Sequence, residues 1–99
     1  MHVAEFTLHA KPGQFSEVAE IYSDFAKQFL SDHEALESVL VIGDEGEGVV
    51  RGIGLFKDQE SADSVNSDPE FASFNERIAP LLASPSQRVE LQLFHHYAR

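Results

Sequence analysis

The chain of 99 residues contains no cysteine, and it has only seven lysines and arginines to set against seventeen aspartates and glutamates. Without cysteine there is no disulfide framework, no thiolate metal site, no thiol nucleophile and no redox switch. The net charge of −10 repels phosphate backbones and anionic bilayers, so nucleic acid and membrane surfaces are poor partners. The acidity is read first as a solubilising surface. No apolar run approaches the ~18 residues of a membrane span, and "MHVAEFTLHA" lacks the cationic-then-apolar order of a secretory signal. These absences point to a cytoplasmic protein.

What is present is enough for one core and no more. With 42% hydrophobic residues the chain forms a single domain over residues 1–99, and domains of this size bury only about 60–70% of their unfolded surface. A homodimer is expected on that ground alone.

The order of elements follows from periodicity. Ala4, Phe6 and Leu8 alternate with Glu5, Thr7 and His9, which predicts a strand that ends at "KPG", Lys11 to Gly13. Phe15, Val18, Tyr22, Phe25 and Phe29 recur every three or four residues, predicting an amphipathic helix from Gln14 to Leu30. Ser31 and Glu34 have capping-box spacing, which predicts a break and a fresh helical turn through Leu36. Val39 to Ile42 and Val49 to Phe56 read as a hairpin around the acidic "GDEGEG" turn. Gly52 and Gly54 leave a strip of that third strand free of side chains, open to close approach. Ala62, Val65, Phe71, Phe74, Ile78 and Leu82 describe a second helical region divided near Pro69. "RVELQLFHHYA" is the last strand, with Val89, Leu91 and Leu93 on one parity.

Strand, helix, strand, strand, helix, strand is the order of a ferredoxin-like α+β domain, a four-stranded antiparallel sheet with its helices on one face. The second face of the sheet also carries apolar residues and calls for a cover, which a second copy would supply as a dimeric α/β barrel.

Three stretches, "AKPG", the hairpin ending in Phe56, and "FKDQESADSVNSDPEFASF", make the chain resemble the antibiotic biosynthesis monooxygenase family of the dimeric α/β-barrel superfamily. The likeness covers nearly the whole chain. It departs from the family pattern at Phe56, where a tryptophan is usual, at Val65, where a helix histidine is usual, and at "DPEF", which replaces a serine and histidine. A haem ligand is therefore missing, since Val65 cannot coordinate iron. The resemblance implies oxygenation of quinols or similar small aromatic or polyketide-type molecules by O2 in a dry apolar cavity, with neither metal nor cofactor. A non-catalytic ligand-binding or structural dimer is the alternative.

Candidates for such a cavity are polar groups on apolar faces. His33, four residues after Phe29, is a candidate base, unless the break at Ser31 turns it to solvent. Tyr22 lies in mid-stripe and is the other catalytic candidate. Arg51 is a candidate for holding an anion, and Phe25, Phe29, Phe56, Val65, Phe71 and Phe74 are candidates for the apolar lining. His95 and His96 point to opposite sides of a regular strand and cannot share a metal. His95, with Tyr97, is expected on the leucine side and is the member to consider for the pocket. Antiparallel pairing of first and last strands would bring His2 near that end, but no third ligand completes a metal site.

Overall fold

The computed structural model describes all 99 residues. The alternation of the N-terminal segment becomes β1, His2–His9. Its residues His2, Ala4, Phe6 and Leu8 are buried on one face of the sheet. At Lys11 to Gln14 the chain reverses in a turn closed by the Gln14 amide on the Lys11 carbonyl at 2.9 Å. Pro12 fits the second position of that turn and Gly13, at φ 80°, its third, where a side chain would be strained.

The helix α1 spans Phe15–Asp32 and buries Val18, Tyr22, Ala26 and Phe29. Strands β2, Leu36–Asp44, and β3, Val49–Phe56, form the hairpin. A short helix α2, Gln59–Ser64, is capped by Asp58, whose carboxylate accepts from the Ser61 amide. A single 3-10 turn, Val65–Ser67, leads into α3, Pro69–Ile78, with proline in the first turn and Asp68 as its cap. A second such turn, Ala79–Leu81, precedes β4, Gln87–Gln92. No helix is long and apolar enough to cross a membrane.

The sheet order is β2-β3-β1-β4, and every neighbouring pair is antiparallel. This is the ferredoxin-like arrangement expected from the order of elements, with the helices on one face. Phe74, Leu8, Ile78, Val18 and Val50 are the largest side chains wholly shut from water. They form the middle of the layer between sheet and helices.

Three boundary expectations need correction. No break occurs at Ser31: α1 continues to Asp32 and no new turn forms through Leu36. The chain there pairs with β3 instead, Leu36 opposite Phe56, with a bulge before Ser38, and the Lys57 amide bonds to the Ala35 carbonyl. Sheet pairing outcompetes a local cap because it satisfies a row of backbone groups at once. The second strand is accordingly longer than Val39 to Ile42. Last, β4 ends at Gln92, opposite His2. Past that residue β1 offers only the Met1 carbonyl, 3.4 Å from the Leu93 amide, so residues 93–99 have no strand to pair with.

Parity in β4 is the fourth correction. Register puts Arg88 opposite Phe6 and Glu90 opposite Ala4, and both partners face the helices. The charged residues therefore point inward, while Val89 and Leu91 lie on the open face, 50% and 49% exposed. On the same open face are Leu40, paired with Ile53, and Ile42, paired with Arg51.

Candidate active site

Between α1 and the sheet lies an apolar cavity with about 50 Å³ of free space. Its residues come from every layer. The stripe of α1 supplies Tyr22, Phe25 and Phe29 at helical spacing, and β3 supplies Gly52, Gly54 and Phe56 at strand spacing. Val65 and Phe71 close it from the second helical region, and Phe6 from β1. The aromatic packing is continuous: Phe6 meets Phe71 edge-on at 5.3 Å and Tyr22 at 5.6 Å between ring centres.

Tyr22 depends on Gly52. A methyl carbon built on Gly52 would stand 1.7 Å from the Tyr22 hydroxyl, so the absence of a side chain there is what admits the phenol. The side-chain-free strip noted in the sequence is thus occupied, over Gly52, by the protein's own tyrosine. Burial pushes the Tyr22 hydroxyl up to about 12, with nearby Arg88 acting in the opposite sense. At neutral pH Tyr22 keeps its proton and can donate a hydrogen bond, but it cannot act as a base.

Arg88 is the cation of this cavity. Its side chain is only 10% exposed. It is held by Glu90 at 3.0 Å, by the Asn66 side-chain oxygen at 3.2 Å and by the Ala62 carbonyl at 2.9 Å. The guanidinium carbon also lies 6.0 Å from the Phe71 ring centre, at the limit of a cation–π contact. Behind it, Glu90 is also 3.2 Å from His2 Nε2. That contact is off the line of a hydrogen bond, and both buried atoms lack a hydrogen-bond partner. Loss of hydration would raise the Glu90 pKa, but its contacts with Asp63 and Arg88 outweigh this and hold it below the usual range.

The candidate residues divide into two groups. Tyr22, Phe25, Phe29, Phe56, Val65 and Phe71 are brought together around the cavity. Phe74 stands one layer back, stacked on Phe25 at 4.3 Å. His33, Arg51, His95 and Tyr97 are placed elsewhere. His33 ends α1 with its ring stacked on Phe29 at 3.8 Å, behind that wall of the cavity. Arg51 is exposed on the open face of the sheet, because its neighbours Val50 and Gly52 take the inward parity. His95 and Tyr97 lie beyond the end of β4, stacked on each other at 5.9 Å, and Tyr97 is 86% exposed. His2, which might have met them, meets Glu90 instead.

Arg88 was hidden in the sequence by a misleading alternation. In "RVELQL" the apolar residues look like the buried parity, and only the register with β1 shows that they are not. The signal that could have found it is the scarcity of cations, seven in the chain, one of them in a terminal strand that must pair with the buried β1.

A ferredoxin-like α+β domain with an apolar cavity between sheet and helices, closed by a tyrosine and an arginine, is the class of protein that fold and site define. No family model matches the sequence, and no curated protein matches it. Among solved structures the chain is similar to a protein provisionally named antibiotic biosynthesis monooxygenase from Nitrosomonas europaea, at 11% identity and TM-score 0.81 over 96% of this chain and all of that one. It is also similar to one with the same provisional name from Deinococcus radiodurans, at 12% identity and TM-score 0.82 over all of this chain and 98% of that one. A Nitrosomonas europaea protein of unknown function gives a TM-score of 0.83 at 18% identity, over 99% and 93% of the two chains. The fold is therefore that of antibiotic biosynthesis monooxygenase-like structures.

Proposed function

We propose that this chain is a monooxygenase-like protein whose cavity takes a small aromatic or enolic molecule as its anion and exposes it to O2 without a cofactor. The observation that carries the reading is the pairing of the Tyr22 hydroxyl with the Arg88 guanidinium in an otherwise apolar chamber. Two fixed donors in low dielectric stabilise a phenolate or enolate oxygen strongly. No group of near-neutral pKa lines the cavity, so the substrate suited to it is acidic enough to arrive already ionised. In the reaction the carbanion form gives two electrons to O2 and forms a C–O bond. Protonation and loss of water then leave a carbonyl, a net change of CH2 plus O2 to C=O plus H2O.

A second reading follows from size. The space of about 50 Å³ is a third of the roughly 150 Å³ that accommodates benzene and far below the ~300–1,000 Å³ of ordinary ligand sites. A ring enters only if half-buried Phe25 and Phe71 swing aside. A protein in which they stay put is a binder of smaller molecules, or a structural dimer. Oxygen uptake with a panel of acidic quinols and naphthols, measured for the wild type and Arg88→Leu, decides between the two. Substrate-dependent uptake that Arg88→Leu abolishes supports oxygenation; calorimetric binding without uptake supports the second reading.

The open face of the sheet suits a second copy of the chain. Leu40, Ile42, Val89 and Leu91 are each about half exposed there, and apolar sheet faces of this kind pack against one another. We place the dimer contact on this face, and the protein in the cytoplasm on its cysteine-free, acidic composition. Light scattering at micromolar concentration tests the first point, a monomeric mass being the result that refutes it.

A further inference from the structure

His33 ends α1 and Asp68 opens α3, and the fold sets His33 Nε2 2.9 Å from Asp68 Oδ2. The other ring nitrogen, Nδ1, is 3.0 Å from the Phe29 carbonyl. Both nitrogens thus face acceptors, whereas a neutral imidazole has one N–H. With Nδ1–H donated to a backbone carbonyl, the arrangement that orients metal-binding histidines, a positive centre is required at Nε2. A proton supplies it, and so does a metal ion.

The other ligands are equally prepared. Asp68 Oδ1 accepts from the amides of Glu70 and Phe71, at 2.8 and 3.4 Å, which leaves Oδ2 free. Glu70 completes a group whose ligand atoms all lie within 4.8 Å of one another. A cation with ligands at about 2.0–2.2 Å draws such a group together by a rotation of the Glu70 side chain. Burial and the neighbouring Asp32 carboxylate raise the Glu70 pKa, a sign of crowded negative charge.

We propose that His33, Asp68 and Glu70 bind a divalent transition-metal cation of the zinc class, with water completing the shell, and so tie the end of α1 to the start of α3. An imidazole with two carboxylates suits such ions better than Mg2+ or Ca2+, which favour all-oxygen sites. The tie bears on the cavity: Phe29 lies under the His33 ring and Phe71 follows Glu70, and both are walls of the chamber. Metal at this point holds those walls at a fixed spacing.

The test is calorimetric titration of the chelator-treated full chain with ZnCl2, together with MgCl2 as a comparison. One Zn2+ per chain is expected, with no comparable Mg2+ uptake. Glu70→Gln, which keeps the His33–Asp68 contact and the helix cap, and His33→Ala should each weaken Zn2+ binding by about tenfold or more. His95→Ala/His96→Ala should leave it unchanged. The proposal is overturned by no saturable Zn2+ uptake up to about 1 mM, by full affinity in Glu70→Gln and His33→Ala, by loss of binding in the tail variant, or by Mg2+ binding as tightly as Zn2+.

Discussion

The two faces of the sheet carry opposite combinations of residue and environment. Under the helices, β4 contributes Arg88 and Glu90 to a buried network, while on the open face it presents Val89 and Leu91 to solvent. Charge lies inside and aliphatic surface outside, the reverse of a half-buried strand in a monomer. The inward charge is tolerated because each group has fixed partners, three of them for Arg88. The outward aliphatics have none in one chain. The difference teaches that an inverted strand marks two interfaces: a polar site on one side and an uncovered contact surface on the other.

The largest effect should come from breaking the inward side. Arg88→Met leaves Glu90 buried without its cation, and urea unfolding should register a loss of about 3–5 kcal/mol. Arg88→Met/Glu90→Leu should recover most of it, since both charges are then gone. Equal stability of single mutant and wild type would mean that the network contributes little. Next in size is Gly52→Ala, whose methyl must displace Tyr22. A loss of about 1–3 kcal/mol is expected, with altered near-ultraviolet dichroism from the moved tyrosine.

A smaller effect belongs to the pair joining the two helices. Dehydration works against the charged His33 ring, but Asp68 and the Phe29 carbonyl outweigh it and raise the pKa above 6.5. For Asp68, dehydration is likewise outweighed, by His33 and two backbone amides, and its pKa falls below 3.8. The His33 contribution is therefore whole below pH 6.5 and is lost as pH rises through the raised folded value. The Asp68 contribution is whole above pH 3.8 and is lost as pH falls through the lowered one. Between those values the pair should add up to about 1 kcal/mol. Chemical unfolding of His33→Ala across pH should lack that shoulder, and a profile parallel to wild type would count against the pair.

The smallest change in monomer stability, within about 0.5 kcal/mol, is expected for Leu40→Lys and Val89→Lys on the open face. Their effect should appear in mass instead. Loss of the dimer in light scattering with unchanged unfolding would separate the two faces cleanly.

Much of the fold was legible because its signals are local. Period-2 alternation in β1, the three-and-four spacing of the α1 aromatics and the Pro12–Gly13 turn each report backbone geometry a few residues wide. So did most of the cavity lining, since Tyr22, Phe25, Phe29 and Phe71 lie on apolar helical faces that must turn inward. Ser31 misled because a capping pattern is also local, and a strand pairing twenty residues distant overrode it. His95 and Tyr97 misled because strand periodicity continues in the sequence after the partner strand has run out.

The sequence by itself determined the order of elements, the fold class that order permits, the exclusion of thiol chemistry and the aromatic stripe over the sheet. Each of these depends on composition or on neighbours within one or two turns. Tertiary structure alone decided that Arg88 faces the cavity, that His33 pairs with Asp68 thirty-five residues away, and that Val89 and Leu91 face out. Those outcomes rest on strand register and on where helix ends meet, and in a period-2 strand a shift of one residue exchanges the two faces.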